Sequence, residues 1–247
     1  MSGKVVFITG GNRGIGLELT KAFAADPANT VIASARDPSK ATELQSLSNV
    51  HVVTLDVSDE SSINKLPAQL EKVASDGIDY YISNAGVARG DSVQKALTAE
   101  KSVWVDHYIT NTVGPILITQ KVYPFLLKKS TRVISFTSSL AGSIGGFFEA
   151  SSSGYGGSKA ALNHFTKLLA YELRDEGFTV IAVHPGVVST DMGNATVPRF
   201  GEDTRKAMES LIITPEESAE SQLKLLLSLT KEQSGKFLSY TGEELPW

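Results

Sequence analysis

The chain contains no cysteine. Disulfides, thiolate metal sites and a cysteine nucleophile are therefore excluded, and the composition fits a reducing compartment. Histidine is scarce: His51, His107, His164 and His184 are scattered with no His-x-x-x-His or similar spacing, which argues against a metal site. Basic charge is not in excess. The 23 Lys and Arg stand against 27 Asp and Glu, a net charge of −4, so nucleic acid is not an expected partner. No apolar run approaches the roughly eighteen residues of a membrane span, so no membrane partner is expected either. Repeats, low-complexity stretches and linkers long enough to separate domains are also missing. Lys4 to Thr9 already reads as a strand, with no charged and apolar leader before it, so the expected location is cytoplasmic.

What is present is an ordinary globular composition, 41% hydrophobic and 20% charged over 247 residues. Short β-branched runs alternate with longer helical patterns, the signature of a parallel sheet built from βαβ units. The runs are Val5–Thr9, Thr30–Ser34, Val50–Leu55, Ile78–Ser83, Thr131–Thr137, Thr179–His184 and Phe237–Tyr240. Several are apolar almost throughout, as expected of strands covered by helices on both faces. Helical patterns fall at Ile15–Ala25, Pro38–Leu47, Glu60–Ser75, within Ala99–Lys128, at Ser153–Glu176 and at Pro215–Thr230. The expectation is an α/β fold in one domain, 1–247. Its irregular stretches, about 140–154 and 186–212, follow strands and would wall a ligand crevice.

The first strand runs into Thr9-Gly10-Gly11-Asn12-Arg13-Gly14-Ile15-Gly16, where a helix begins. Glycines let the backbone turn tightly and approach a pyrophosphate, and the helix N-terminus offers free N–H groups and a positive dipole end. Further on, Tyr155-Gly156-Gly157-Ser158-Lys159 opens a long helix. Residues at i and i+4 share a helix face, so an ammonium stands beside a phenol. A nearby positive charge favours the phenolate and would draw a pKa of about 10 toward the working range, making Tyr155 a proton donor or acceptor. Upstream, a strand ends in Thr137-Ser138-Ser139, where a hydroxyl can hold a carbonyl oxygen. Asn111 sits within the long helical region, and Asn84-Ala85-Gly86 closes the fourth strand.

Together these motifs resemble the short-chain dehydrogenase/reductase family. The matching segments are Thr9–Gly16, Asp56-Val57, Asn84–Gly86, Asn111, Ser139, Tyr155–Lys159 and Pro185-Gly186, in family order and across nearly the whole chain. The resemblance implies a Rossmann-type, doubly wound, seven-stranded parallel sheet. It implies a catalytic tetrad in which Ser139 steadies the substrate oxygen and Tyr155 transfers the proton. Lys159 would bind the nicotinamide ribose and lower the Tyr155 pKa, while Asn111 supports a water chain to Lys159. Ser138 is the alternative to Ser139. The interval from Ser139 to Tyr155 is slightly longer than the family's, which bears on the substrate loop.

By the same resemblance, Gly10, Asn12, Arg13, Gly14, Ile15 and Gly16 line the cofactor's phosphates and ribose. Asp56 and Val57 meet the adenine, and Asn84, Ala85 and Gly86 flank the adenosine side. Pro185, Gly186, Val188 and Thr190 hold the nicotinamide carboxamide, with His184 a packed strand-end residue. Ala35 and Arg36 stand where NAD-users carry an acid, and Arg36 with Arg13 suits the 2′-phosphate of NADPH. Asp37 is expected to turn away and begin the next helix.

Ser34–Asp37 and Gly242–Trp247 resemble the sepiapterin-reductase-like and C-factor-like carbonyl reductases, to which fungal ketoreductases are similar. The expected activity is NADPH-dependent reduction of a ketone or diketone. The alternatives are an NAD-dependent secondary-alcohol dehydrogenase and a non-catalytic nucleotide sensor on the same fold. The loops contain Leu140, Ile144, Phe147, Phe148, Val188, Met192, Val197 and Phe200, with Arg199 as their cation, so an apolar small-molecule carbonyl substrate is expected. Met192, Phe147 and Phe148 are equally compatible with substrate wall and ordinary packing. Gly145-Gly146 and Ser151–Gly154 suggest a flexible rim. Family members commonly pair through the helices at Ala99–Lys128 and Ser153–Glu176, so a homodimer or homotetramer is expected.

Overall fold

All seven apolar runs become strands of one sheet in the computed structural model, which describes residues 3–89, 93–147 and 152–247. They are β1 (Val5–Ile8), β2 (Thr30–Ala35), β3 (Val50–Thr54), β4 (Tyr80–Ser83), β5 (Val133–Thr137), β6 (Thr179–His184) and β9 (Phe237–Ser239). The sheet order is β3-β2-β1-β4-β5-β6-β9, with every pair parallel. This is the doubly wound α/β arrangement expected from the sequence. Two short strands, β7 (Val187–Val188) and β8 (Ile212–Ile213), pair separately and were not anticipated.

Strand periodicity explains why both faces are covered. Phe7 and Tyr81 point to one side, into a cluster with Leu66, Leu70, Ile118, Val122, Phe125 and Leu162. Their neighbours Val6, Ile8, Tyr80 and Ile82 point to the other side, toward Leu19, Phe23, Ala219 and Leu226. Full burial of such a side chain contributes about 1.5–3 kcal/mol, so burying both faces drives assembly of the sheet.

Helices differ from expectation where local geometry intervenes. The pattern at Glu60–Ser75 divides into α3 (Glu60–Asn64) and α4 (Leu66–Val73). Pro67 has no N–H and its ring conflicts with the preceding turn, so the helix restarts there. The stretch Pro38–Leu47 forms a single 3₁₀ turn and then α2 (Thr42–Gln45). The long region splits into α5 (Lys101–Tyr108), a π turn (Ile109–Val113) and α6 (Gly114–Leu126). The remaining long helices are α1 (Gly14–Ala24), α7 (Ser153–Glu172) and α10 (Pro215–Ser228). Within the stretch expected to be irregular lie α8 (Asp191–Thr196) and α9 (Glu202–Glu209). Thr190 caps α8 by accepting from Gly193 N, and Glu202 and Asp203 complement the first turn of α9. Among the described residues no helix is long and apolar enough to cross a membrane.

Candidate active site

The strand order reverses between β1 and β4, and their carboxyl ends open a crevice there. Thr9 stitches the two following loops together. Asn84 N and Ala85 N both donate to Thr9 Oγ1 at 3.0 Å, and Asn84 Nδ2 donates to Thr9 O at 3.0 Å. Gly14 has φ +53°, and a Cβ on Gly16 would lie 2.2 Å from Gly10 O and 2.5 Å from Asn84 Nδ2. Only glycine permits this close approach. The N-terminus of α1 has no side-chain cap and no acid in its first turn, so its N–H groups face the loop free for an anion.

The side of the crevice expected from the sequence to take the adenosine is built by β2 and β3. Ala35 is buried at the end of β2 and Arg36 is exposed beside it. Burial pushes the Asp56 carboxyl up, but hydrogen bonds from Ser58 and the charge of Arg36 outweigh it and hold the group below its usual range. Asp37 does turn away: its carboxylate accepts from Ser39 N at 3.1 Å and caps the following 3₁₀ turn. Arg13 Nη1 lies 3.8 Å from Asp191 Oδ2 across the cleft. A Cβ on Gly14 would be 3.3 Å from Thr190 Cγ2, so the segment after β7 lies against the glycine loop. Val188, in β7 itself, is buried, and Pro185 O accepts from Ser218 Oγ at 2.6 Å.

At the centre of the crevice, Lys159 is 4% exposed and donates from Nζ to Thr137 O at 2.7 Å. Its Nζ stands 5.9 Å from the centroid of the half-buried Tyr155 ring. The Ser139 hydroxyl is near enough to the Tyr155 phenol to act on its pKa, and Ser139 Oγ accepts from Ala141 N at 3.2 Å. Ser138 faces elsewhere: its hydroxyl donates to Asn163 Oδ1 in the interior. Of the two candidate serines, Ser139 is the one beside Tyr155.

Asn111 is fully buried in the π turn. Its Oδ1 accepts from Val87 N at 2.8 Å, and its Nδ2 donates to Val87 O at 2.8 Å and Ser158 Oγ at 3.0 Å. A Cβ on Gly86 would sit 3.1 Å from Asn111 Oδ1 and 3.5 Å from Lys159 Nζ. The Asn84–Gly86 loop, Asn111 and Lys159 therefore form one contiguous wall.

One electrostatic expectation is corrected. Burial raises the Tyr155 pKa and the neighbouring Ser139 hydroxyl only partly offsets it, so the phenol is shifted away from the working range rather than toward it. Burial also lowers Lys159 to about 8. An ammonium that is itself stripped of water, with its Nζ bonded to Thr137 O, does not outweigh desolvation of the phenol. His184 is likewise held down to about 4 by burial, and its Nδ1 has no partner among the described residues. This agrees with a packed, neutral strand-end residue.

Sequence reasoning passed over His107. Its Nδ1 bonds Val103 O at 2.6 Å, Arg89 N donates to its Nε2 at 3.3 Å, and its ring lies edge-on to Tyr155 at 6.4 Å. His107 lies one turn before Asn111, and that shared helix side was the available signal. Phe147 and Ile144 are largely exposed and Val197 is buried, while Phe148 and Ser151 lie outside the described residues.

Residues 4–199 match the short chain dehydrogenase family. The chain belongs to that family. It is thus an oxidoreductase, and the matched span includes the glycine loop, Asn111, Ser139, Tyr155, Lys159 and Thr190. This short-chain dehydrogenase is 47% identical over 246 residues to an uncharacterized oxidoreductase of Saccharomyces cerevisiae, covering 96% of this chain and 95% of the relative. Its structure resembles the carbonyl reductase Sniffer of D. melanogaster, with a TM-score of 0.87, 30% identity and coverage of 99% and 100%. The NADPH-bound carbonyl reductase from chicken fatty liver has a TM-score of 0.87 and 32% identity, with full coverage of both chains.

The lowered Lys159 pKa makes a stability prediction for this short-chain dehydrogenase. Between about pH 8 and 10.5 the unfolded chain binds more protons at Lys159 than the folded one, so folding gains stability as pH rises. The penalty is full below pH 8 and gone above 10.5. A Lys159→Met variant lacks this slope. The stability difference is expected to shift in favour of wild type by about 3 kcal/mol across that window, since one pKa unit is 1.36 kcal/mol. Denaturant unfolding of both proteins at pH 7.5 and 10.5 measures it, and parallel curves would rule out the buried ammonium.

Proposed function

We propose that this short-chain dehydrogenase is an NADPH-dependent carbonyl reductase that converts a ketone or diketone to the alcohol, with Tyr155 as proton donor. One observation carries the reading: the Tyr155 phenol and the Ser139 hydroxyl are neighbours in the crevice, with the buried ammonium of Lys159 5.9 Å from the centre of the phenol ring. The names of the chicken enzyme and of Sniffer support it, the former also naming NADPH.

The residues fit a dinucleotide. The glycine loop and the uncapped start of α1 would hold the pyrophosphate, and Arg36 with Arg13 the 2′-phosphate. Lys159 would donate to the nicotinamide ribose, and Pro185, Gly186, Val188 and Thr190 would hold the carboxamide. When bound, the nicotinamide supplies a hydride to the carbonyl carbon.

The chain's own groups then act on the carbonyl oxygen. Set between the two hydroxyls, that oxygen accepts from Ser139 and Tyr155 together. A phenol is neutral at pH 7 by its ordinary pKa of about 10, and burial shifts Tyr155 further the same way, so it arrives with its proton in place. As negative charge grows on the oxygen, the phenol O–H bond breaks and the alcohol O–H bond forms. Charge left on the phenolate is stabilised by the Lys159 ammonium, whose pKa of about 8 keeps it mostly protonated at pH 7. Asn111 clamps Val87 and so sets the wall behind Lys159.

The substrate is apolar. Leu140, Ile144, Phe147, Val188, Met192 and Val197 belong to the loops bordering the hydroxyl pair, and the 140–147 stretch holds no Lys or Arg. A substrate panel with NADPH tests this. An aromatic diketone is expected to show the highest kcat/KM, above a simple aliphatic ketone, a sugar and an acyl thioester. A sugar or thioester at the head of that series would overturn the reading.

A further inference from the structure

The loop that leaves β5 carries Ser139, and two independent sets of contacts hold it. On its inner side, Asn163 of α7 accepts from Ser138 Oγ and donates to Gly142 O at 3.3 Å. Gly142 approaches α7 so closely that a Cβ there would lie 2.6 Å from the Lys159 carbonyl carbon. On its outer side the partners come from Pro246 and Trp247, outside the family-matched residues 4–199. The buried Ser143 donates from Oγ to Pro246 O at 2.7 Å and accepts from Gly146 N at 2.9 Å. Ile144 N and Gly145 N both donate to Trp247 O, at 3.0 and 2.5 Å. A Cβ on Gly146 would stand 2.7 Å from Pro246 Cγ, so glycine is required for this contact.

The bracing segment is itself anchored. Leu245 N donates to Phe237 O at 2.8 Å and Ser239 N to Glu243 O at 2.8 Å, which ties the segment to β9. The Trp247 ring packs on the fully buried Phe237 at 5.7 Å, and Lys167 Nζ lies 5.1 Å from its centroid. A loop with glycines at 142, 145 and 146 would otherwise be free to sample many conformations, and ordering one residue costs about 1–2 kcal/mol. The flexible rim expected from Gly145-Gly146 is instead fastened to the sheet.

We infer that Pro246 and Trp247 are positioning residues, bracing the 139–146 loop so that the Ser139 hydroxyl is aligned with Tyr155 over the carbonyl oxygen. This rests on the reductase reading above. It acts on the substrate oxygen alone, since the glycine loop and Arg36 lie on the other side of the crevice.

The variants Trp247→Ala, Ser143→Ala and the conservative Trp247→Phe test it, with a prochiral aromatic diketone and NADPH. Misplacement of a reacting group by about 1 Å can lower rates by ~10²-fold, so Trp247→Ala is expected to reduce kcat/KM at least ten-fold. The enantiomeric ratio of the alcohol should fall as well, with NADPH affinity unchanged. Trp247→Phe should restore most of both, and Ser143→Ala should move them in the same direction. Wild-type kcat/KM and enantiomeric ratio in Trp247→Ala, or a parallel loss of NADPH affinity, would overturn the inference. Should Trp247→Ala not fold, Ser143→Ala decides by the same criteria. If wild type reduces no ketone, the reductase reading fails instead. The brace is then judged by amide hydrogen exchange, which must quicken across 139–146 but not in β5 in the Ser143→Ala or Trp247→Ala protein.

Discussion

Tyr155→Phe is expected to lower kcat by ~10²–10⁴-fold while NADPH binding stays near the wild-type value, because proton transfer by a positioned side chain contributes that much. The ring keeps its place, edge-on to His107 at 6.4 Å, and Lys159 keeps its bond to Thr137 O. Only the phenol hydroxyl, the neighbour of Ser139, disappears. Single-turnover rates with saturating NADPH, beside a fluorescence titration of the cofactor, separate chemistry from binding. Retention of more than about a tenth of wild-type kcat would remove Tyr155 from its assigned role, since that falls well short of the proton-transfer contribution.

The second large effect concerns cofactor choice. NADPH is expected to be preferred over NADH by about ten- to hundred-fold in kcat/KM, since a hydrogen bond to a charged group contributes about 1.5–3 kcal/mol. Arg36 emerges exposed at the end of β2 beside the buried Ala35. The nearest acid in sequence, Asp37, is occupied by Ser39 and Lys40. Arg13 faces the same cleft but lies 3.8 Å from Asp191, so Arg36 is expected to carry the larger share. The double change Ala35→Asp with Arg36→Ala should reverse the preference, because a carboxylate there accepts from ribose hydroxyls and repels a phosphate. Equal wild-type kcat/KM for the two cofactors would sink the proposal.

Much of this architecture could be read residue by residue. Val5–Ile8 and residues 180–183 of β6 are apolar on both faces, a pattern that a doubly covered strand sustains. The Tyr155–Lys159 interval places its ends together on one helix, wherever that helix packs. Helix breaks were harder, because Pro67 can end a helix or begin one, and packing selects. The π turn at Asn111 had no local marker. It brings Gly114 against Val57, where a Cβ would lie 2.1 Å from Val57 O.

The sequence alone determined the strand order's ingredients, the glycine turn and the identity of the Tyr, Lys, Ser and Asn side chains. Each depends on neighbours within a few positions or on a short periodicity. Only the tertiary structure decided that Ser139 rather than Ser138 meets Tyr155, because Asn163, far along the chain, claims the other hydroxyl. It likewise decided that the phenol's pKa is shifted up rather than down, since burial is a property of everything packed around a group. The fastening of the Ser139 loop by Trp247 joins residues about a hundred positions apart, a contact that exists only once the sheet has brought β5 and β9 to the same side.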